Sequence, residues 1–91
     1  MTYTVELTNI ADKQLKKLNK KQQDRINEAL INLCEFFEGK SSKKPDVKVL
    51  SGKYRGLLRM RVGEYRIIFS MNAARYIILI IQIVPRGKAY K

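Results

Sequence analysis

Histidine is absent from this chain. That removes the side chain most used as general base and as metal ligand, and with it every Ser-His or Cys-His nucleophile system. Any catalysis has to run on arginine, lysine, tyrosine or the few carboxylates. Asp12, Asp24, Asp46 and Glu64 show no spacing suited to a metal pair, so neither metal nor cofactor is expected. Cys34 is the single cysteine and lies in a helical pattern, which leaves no disulfide framework and reads as a small core hydrophobe. The longest apolar run, Tyr76 to Ile81, is far too short to span a bilayer, and Met1 is followed by an alternating polar strand rather than by a basic region and an apolar block. A soluble, cytoplasmic protein is the expectation.

Acidic residues are also scarce. Eight Asp and Glu stand against nineteen Lys and Arg, a formal charge of +11, so the expected partner is polyanionic: nucleic acid, a ribonucleoprotein or an acidic protein. A membrane surface is the weaker option, because no basic stretch carries the aromatic-rich apolar face of an interfacial helix. Residues 1–91 make one domain, large enough for a core but burying only roughly two-thirds of the surface its unfolded chain exposes.

What the chain does have is organised around Gly56 to Met71, GLLRMRVGEYRIIFSM. Gly63-Glu64 separates two alternating runs, and glycine at the first central position is what a two-residue type II′ turn requires. Counting outward, Val62 faces Tyr65, Arg61 faces Arg66, Met60 faces Ile67 and Arg59 faces Ile68. Like charges directly opposite destabilise a sheet, so arginines at 59, 61 and 66 on one face imply an anion there, with phosphate the first candidate.

The remaining elements follow in order. Tyr3, Val5 and Leu7 alternate with Thr2, Thr4 and Glu6, a half-buried strand. Asn9 to Asp12 resembles a capping box with Asn9 as N-cap, and Ala11, Leu15 and Leu18 give the helix behind it an apolar stripe. Asn19 followed by Gln22 repeats the signal, so a second helix begins almost at once and the pair forms an αα-hairpin. Ile26, Leu30, Leu33 and Phe37 carry its core face, widened by Ala29 and Phe36; Gly39 is a natural C′ residue, and both phenylalanines are expected in the core. Gly39 to Lys53 reads as a polar, basic loop interrupted by Pro45, followed by a short strand around Val47 to Leu50. Asn72-Ala73-Ala74 is a turn, and Tyr76 to Val84, apolar on both parities apart from Gln82, is a strand that is covered on both sides or sits in the sheet centre. Its excess hydrophobicity hints at a protein partner. The fold class is α+β: an N-terminal strand, a helix hairpin, then a three- to four-stranded antiparallel sheet packed on the helices.

If Tyr76 to Val84 pairs beside the hairpin, its exit at Pro85 delivers Arg86, Lys88 and Tyr90 to the arginine-bearing face. Such a cluster can hold a phosphodiester, and it suits metal-free cleavage of RNA: the 2′-OH attacks the adjacent phosphorus while arginines neutralise the equatorial oxygens. Tyrosine is a poor base at its ordinary pKa of about 10, but surrounding arginines stabilise the phenolate and make Tyr90 a candidate. From spacing alone, a solvated sheet face or a passive RNA- or DNA-binding patch stays open as an alternative.

These residues resemble a known family. The order of elements, with RMRVGEYRIIFSM and the terminal VPRGKAYK, is similar to the RelE branch of the RelE/ParE toxin superfamily, and to its archaeal members most of all. The resemblance covers nearly the whole chain, and it implies a RelE-like fold and a type II toxin that cuts mRNA in the ribosomal A site, held in check by a RelB-type antitoxin in a hetero-oligomer. It places Arg59, Arg66, Arg86 and Tyr90 in the catalytic site and Arg61, Lys88, Lys53 and Arg55 on bound RNA. Leu57 stands where well-known bacterial members have a further lysine, which leaves the general base unassigned. The alternative within the superfamily is a ParE-like inhibitor of DNA gyrase without nuclease chemistry.

Overall fold

The computed structural model describes residues 2–85. Five strands form one sheet, in the order β1-β5-β4-β3-β2, and two helices cover one of its faces. The strands are β1 (Thr4–Leu7), β2 (Val47–Val49), β3 (Leu58–Val62), β4 (Tyr65–Asn72) and β5 (Ile77–Pro85); the helices are α1 (Asn9–Lys16) and α2 (Lys20–Phe37). The α+β class and the order of elements are those the sequence predicts. The sheet gains a fifth member because β1 joins it, pairing parallel to β5 with Val5 beside Ile78. That contact spans most of the chain, and local pattern carries no signal for it.

Both helix starts are set by side-chain caps. Asn19 Oδ1 accepts from the Gln22 backbone N–H at 2.8 Å, as the sequence predicts. The first cap is Thr8 and not Asn9: its hydroxyl oxygen accepts from the Ala11 N–H at 3.1 Å while donating to the Ile81 carbonyl at 2.9 Å. The second bond explains the shift. Ile81 is the extra residue of a bulge, since Ile68 pairs with Gln82 and Phe69 with Ile80, and its carbonyl needs a donor from outside the sheet. Gln14 completes the splice, its Oε1 accepting from the Ile83 N–H at 2.6 Å, so α1 takes over the edge of β5 where β1 stops.

At the end of α2, Gly39 adopts φ +79°, the Gly39 N–H donates to the Phe36 carbonyl and the Lys40 N–H to that of Glu35. This is the Schellman arrangement. Phe36 and Phe37 lie outside the core: Phe37 is exposed, and it stacks edge-on against Phe36 and tilted against Tyr3, which in turn meets Tyr76 at 5.3 Å between ring centres. With Gly39 ending the helix one turn beyond Leu33 and Cys34, the two rings reach the rim of the sheet rather than its middle.

The core lies between the helices and one sheet face. Ala11, Ile26, Leu30 and Leu33 meet Met60, Ile67, Phe69, Ile78 and Ile83, all nearly or fully buried. Cys34 is buried among them, as expected, and loss of hydration pushes its thiol pKa up, with Glu38 and Glu35 adding to the effect. Because strand side chains alternate, burying Met60, Val62, Ile67 and Phe69 turns Arg59, Arg61, Arg66 and Ile68 to the face without helices.

Candidate nucleic-acid interface

The hairpin register matches the sequence reading residue for residue: Val62 with Tyr65, Arg61 with Arg66, Met60 with Ile67, Arg59 with Ile68. Gly63 has φ +56°, and among the described residues Tyr76 is the one non-glycine with positive φ, so Glu64 is on the negative side and the turn is of the II′ kind. The Arg25 guanidinium of α2 lies so close that a Cβ on Gly63 would sit 2.8 Å from its Nη1. Glycine here serves both the backbone and the approach of α2 to the turn.

Across the helix-free face the residues form rows. One runs Val84, Arg66, Arg61, with Asp46 beside it through the Arg61 N–H donated to the Asp46 carbonyl at 3.0 Å; the next runs Gln82, Ile68, Arg59, Lys48. Farther along lie Ser70 with Leu79 and Asn72 with Ile77. Positive charge is therefore gathered at the β2-β3-β4 end, and the half toward β1 is apolar or neutral apart from Glu6. β5 finishes at Pro85 opposite Tyr65, one residue past the Arg66 row. Arg86, Lys88 and Tyr90 themselves lie outside the described residues.

The described arginines are not equivalent. Arg61 is exposed and Arg66 half-buried, whereas Arg59 is 7% exposed although it lies on the face opposite the helices. Beside it Ile68 is 2% exposed. Arg59 Nη1 stands 3.6 Å from Asp46 Oδ1, too far for a hydrogen bond, and makes none with any other group. Lys53 and Arg55 fall on the exposed turn Gly52–Tyr54 and just after it, between β2 and β3, with Lys53 Nζ 5.5 Å above the Tyr54 ring. They sit apart from the hairpin rows.

Two participants escape a reading of the sequence by local pattern. Asn32 on α2 pins the basic loop: its Nδ2 donates to the Lys43 carbonyl at 3.0 Å and its Oδ1 accepts from the Ser41 hydroxyl at 2.8 Å. A cleft of about 320 Å³ opens between this loop, α2 and β3, with Arg25, Glu28, Lys43 and Arg61 at its walls and Met60 and Val62 beneath. Asp46 is the second. Its place follows from the alternation of Val47 and Val49, which sets positions 46 and 48 on the face of Arg59 and Arg61, but only once β2 is known to pair with β3. Among the described residues no three His, Cys, Asp or Glu side chains gather where a metal could be held. No helix among them is long and apolar enough to cross a membrane.

Comparison with known proteins places the whole chain among relatives. A family model described as the ParE toxin of the type II toxin-antitoxin system parDE matches residues 5–90. Among solved structures, the archaeal RelE-RelB complex from Pyrococcus horikoshii OT3 contains a chain 35% identical to this one, with a TM-score of 0.72 over 98% of this chain and 100% of that one. The RelB-RelE complex from Methanococcus jannaschii gives 25% identity and a TM-score of 0.66 over 88% of each chain. The RelBE2 complex of Mycobacterium tuberculosis gives 23% identity and a TM-score of 0.77 over 94% of this chain and 100% of that one, a likeness of fold. No curated protein matches the sequence significantly.

Proposed function

This chain belongs to the RelE/ParE superfamily of type II toxins, and on that premise we propose that it is a ribosome-dependent endoribonuclease that cuts mRNA in the A site without a metal and so arrests translation. The observation that carries the reading is the Arg61–Arg66 pair with Arg59 in the adjoining row, on the face free of helices and next to the end of β5. Like charges directly opposite each other disfavour pairing in a sheet, and a phosphodiester that accepts from both guanidinium groups offsets that repulsion.

In the reaction the 2′-OH attacks the adjacent phosphorus and the P–O5′ bond breaks, leaving a 2′,3′-cyclic phosphate and a 5′-OH. The hydroxyl proton passes to a base, for which Tyr90 is our candidate, and the leaving oxygen takes up a proton. Arg66, Arg86 and Arg59 stabilise the charge that grows on the equatorial oxygens. Arg61, with Lys88, Lys53 and Arg55, binds flanking RNA phosphates. Free RNA is a poor substrate, because in-line geometry at one phosphate needs more positioning than a few side chains supply; the ribosome provides it.

The P. horikoshii and M. jannaschii relatives were solved as complexes of RelE with RelB. We carry a RelB-type antitoxin over to this chain, as the acidic partner of a hetero-oligomer formed in the cytoplasm, neutralising a toxin of charge +11.

The test is to incubate the purified chain with programmed ribosomes and map new 5′ ends. Codon-aligned ends bearing 5′-OH, lost in Arg86→Ala and strongly reduced in Tyr90→Phe, are expected. An intact A-site codon after incubation rejects the nuclease reading, and inhibition of gyrase supercoiling would put the other superfamily activity in its place.

A further inference from the structure

Among the described residues Arg59 is the one buried cation of the candidate interface, and its Nη1 lacks a hydrogen bond. A guanidinium withdrawn from water needs hydrogen-bond acceptors in good geometry, since a buried charge left without them is expensive. Nη1 of Arg59 has lost its contact with solvent and has no hydrogen bond. The carboxylate against it, Asp46, stands at 3.6 Å and contacts it through one oxygen, and that side chain is 58% exposed. The pair is lopsided: the cation is buried with its Nη1 unsatisfied, the anion is largely solvated and loosely held. Across the sheet Arg59 is flanked by Ile68 and Lys48, neither of which offers a side-chain acceptor.

We infer that Asp46 is a resident stand-in for a phosphodiester: it supplies the counter-charge of Arg59 in the free protein and swings into solvent when an RNA phosphate takes its place. The inference rests on the reading of this face as an RNA-phosphate site and adds to it a positioning residue that sets how tightly the site binds. A phosphate has the advantage in such an exchange, because it can accept two short charge-assisted bonds where Asp46 makes one long contact. Releasing Asp46 costs little, since an exposed carboxylate regains its hydration. The backbone stays in place during the swap, because the Asp46 carbonyl remains tied to the Arg61 N–H. Asp46 also lends selectivity: a weakly binding anion does not displace it, whereas an RNA backbone engaging Arg61 and Arg66 at the same time does.

The experiment uses the full chain and a short 2′-O-methyl RNA, which cannot be cleaved, titrated by fluorescence anisotropy at fixed salt without ribosomes. Asp46→Asn is expected to bind it about fivefold more tightly than wild type. It is also expected to melt at a lower temperature in phosphate-free buffer and to recover more than wild type when inorganic phosphate is added. Glu64→Gln removes the same formal charge from the exposed hairpin turn and controls for net charge, so it should change affinity by much less. In an Arg59→Met background, chosen because an apolar side chain of similar length tolerates burial, the effect of Asp46→Asn on RNA binding should vanish. Unchanged or weaker binding by Asp46→Asn, a gain equal to that of Glu64→Gln, or a gain that persists without Arg59 each overturns the inference. Failure to cleave on ribosomes rejects the nuclease reading and leaves this binding linkage standing, so the two are separable.

Discussion

Strands β3 and β4 present two faces of opposite character built from alternate residues of the same short segments. Met60, Val62, Ile67 and Phe69 are buried against the helices, while Arg59, Arg61 and Arg66 occupy the positions between them. The buried set supplies stability. The arginine set, on its own, subtracts from it, because Arg61 directly opposes Arg66. A fold can carry such a functional liability when the opposite face of the same strands holds the sheet together, and that division gives experiments a clear target.

Phe69→Ala is the largest break. The ring is fully buried, and its loss should cost about 3–5 kcal/mol, enough to unfold much of the population at moderate denaturant. Denaturant melts read this directly, and a change under 1 kcal/mol would contradict the placement of the core. Thr8→Ala comes next, at about 1–2 kcal/mol, because it removes the α1 cap and the donor to the bulge carbonyl of Ile81 together. Asn9→Ala should cost much less, and equal losses for the two would restore Asn9 as the cap.

Gly63→Ala should destabilise by about 1 kcal/mol, mostly through its φ of +56°. The close Arg25 guanidinium is the free end of a flexible side chain and can withdraw, so adding Arg25→Ala should recover only a minor part. A full recovery would mean that steric contact, not backbone conformation, fixes glycine there. Arg61→Thr sharpens the contrast between faces by having the opposite sign. Relief of the cross-strand repulsion should raise stability by up to about 1 kcal/mol while RNA binding weakens.

The smallest effect is a pH dependence away from the interface. Glu38 Oε2 accepts from the Tyr3 backbone N–H at 2.6 Å, and that bond, with help from Lys40, holds its carboxyl below the ordinary carboxylate range. A carboxyl whose folded pKa lies below its unfolded one contributes fully above the unfolded value and ceases to contribute as pH falls through the folded one. The melting-temperature gap between wild type and Glu38→Gln should therefore be present at pH 7 and shrink below about pH 4. A gap that stays constant over that range would remove Glu38 as the clasp between β1 and the end of α2.

The same two faces explain what was legible from sequence. The hairpin register could be read because a two-residue turn leaves no freedom in the pairing, and the α2 stripe of Ile26, Leu30 and Leu33 because 3.6-residue periodicity is a local signal. The choice of Thr8 over Asn9 was hidden, because either residue can cap and only the distant Ile81 carbonyl decides. The partner of β1 was hidden for the same reason: nothing within Thr4–Leu7 names β5. Arginine on a helix-free face reads as solvated, so the burial of Arg59 and its loose contact with Asp46 emerge only once β2 is laid beside β3. The sequence pattern placed the charges on a face; the pairing of distant strands decided which of them is buried.

The most direct test of this division measures cleavage and stability on the same protein. Arg66→Ala should abolish most codon-aligned cutting on programmed ribosomes while the protein still melts in one cooperative transition, because the core face of β4 is untouched. Cutting at the wild-type rate by a well-folded Arg66→Ala protein would contradict the account, because the helix-free face would then carry its cationic cluster without using it on RNA.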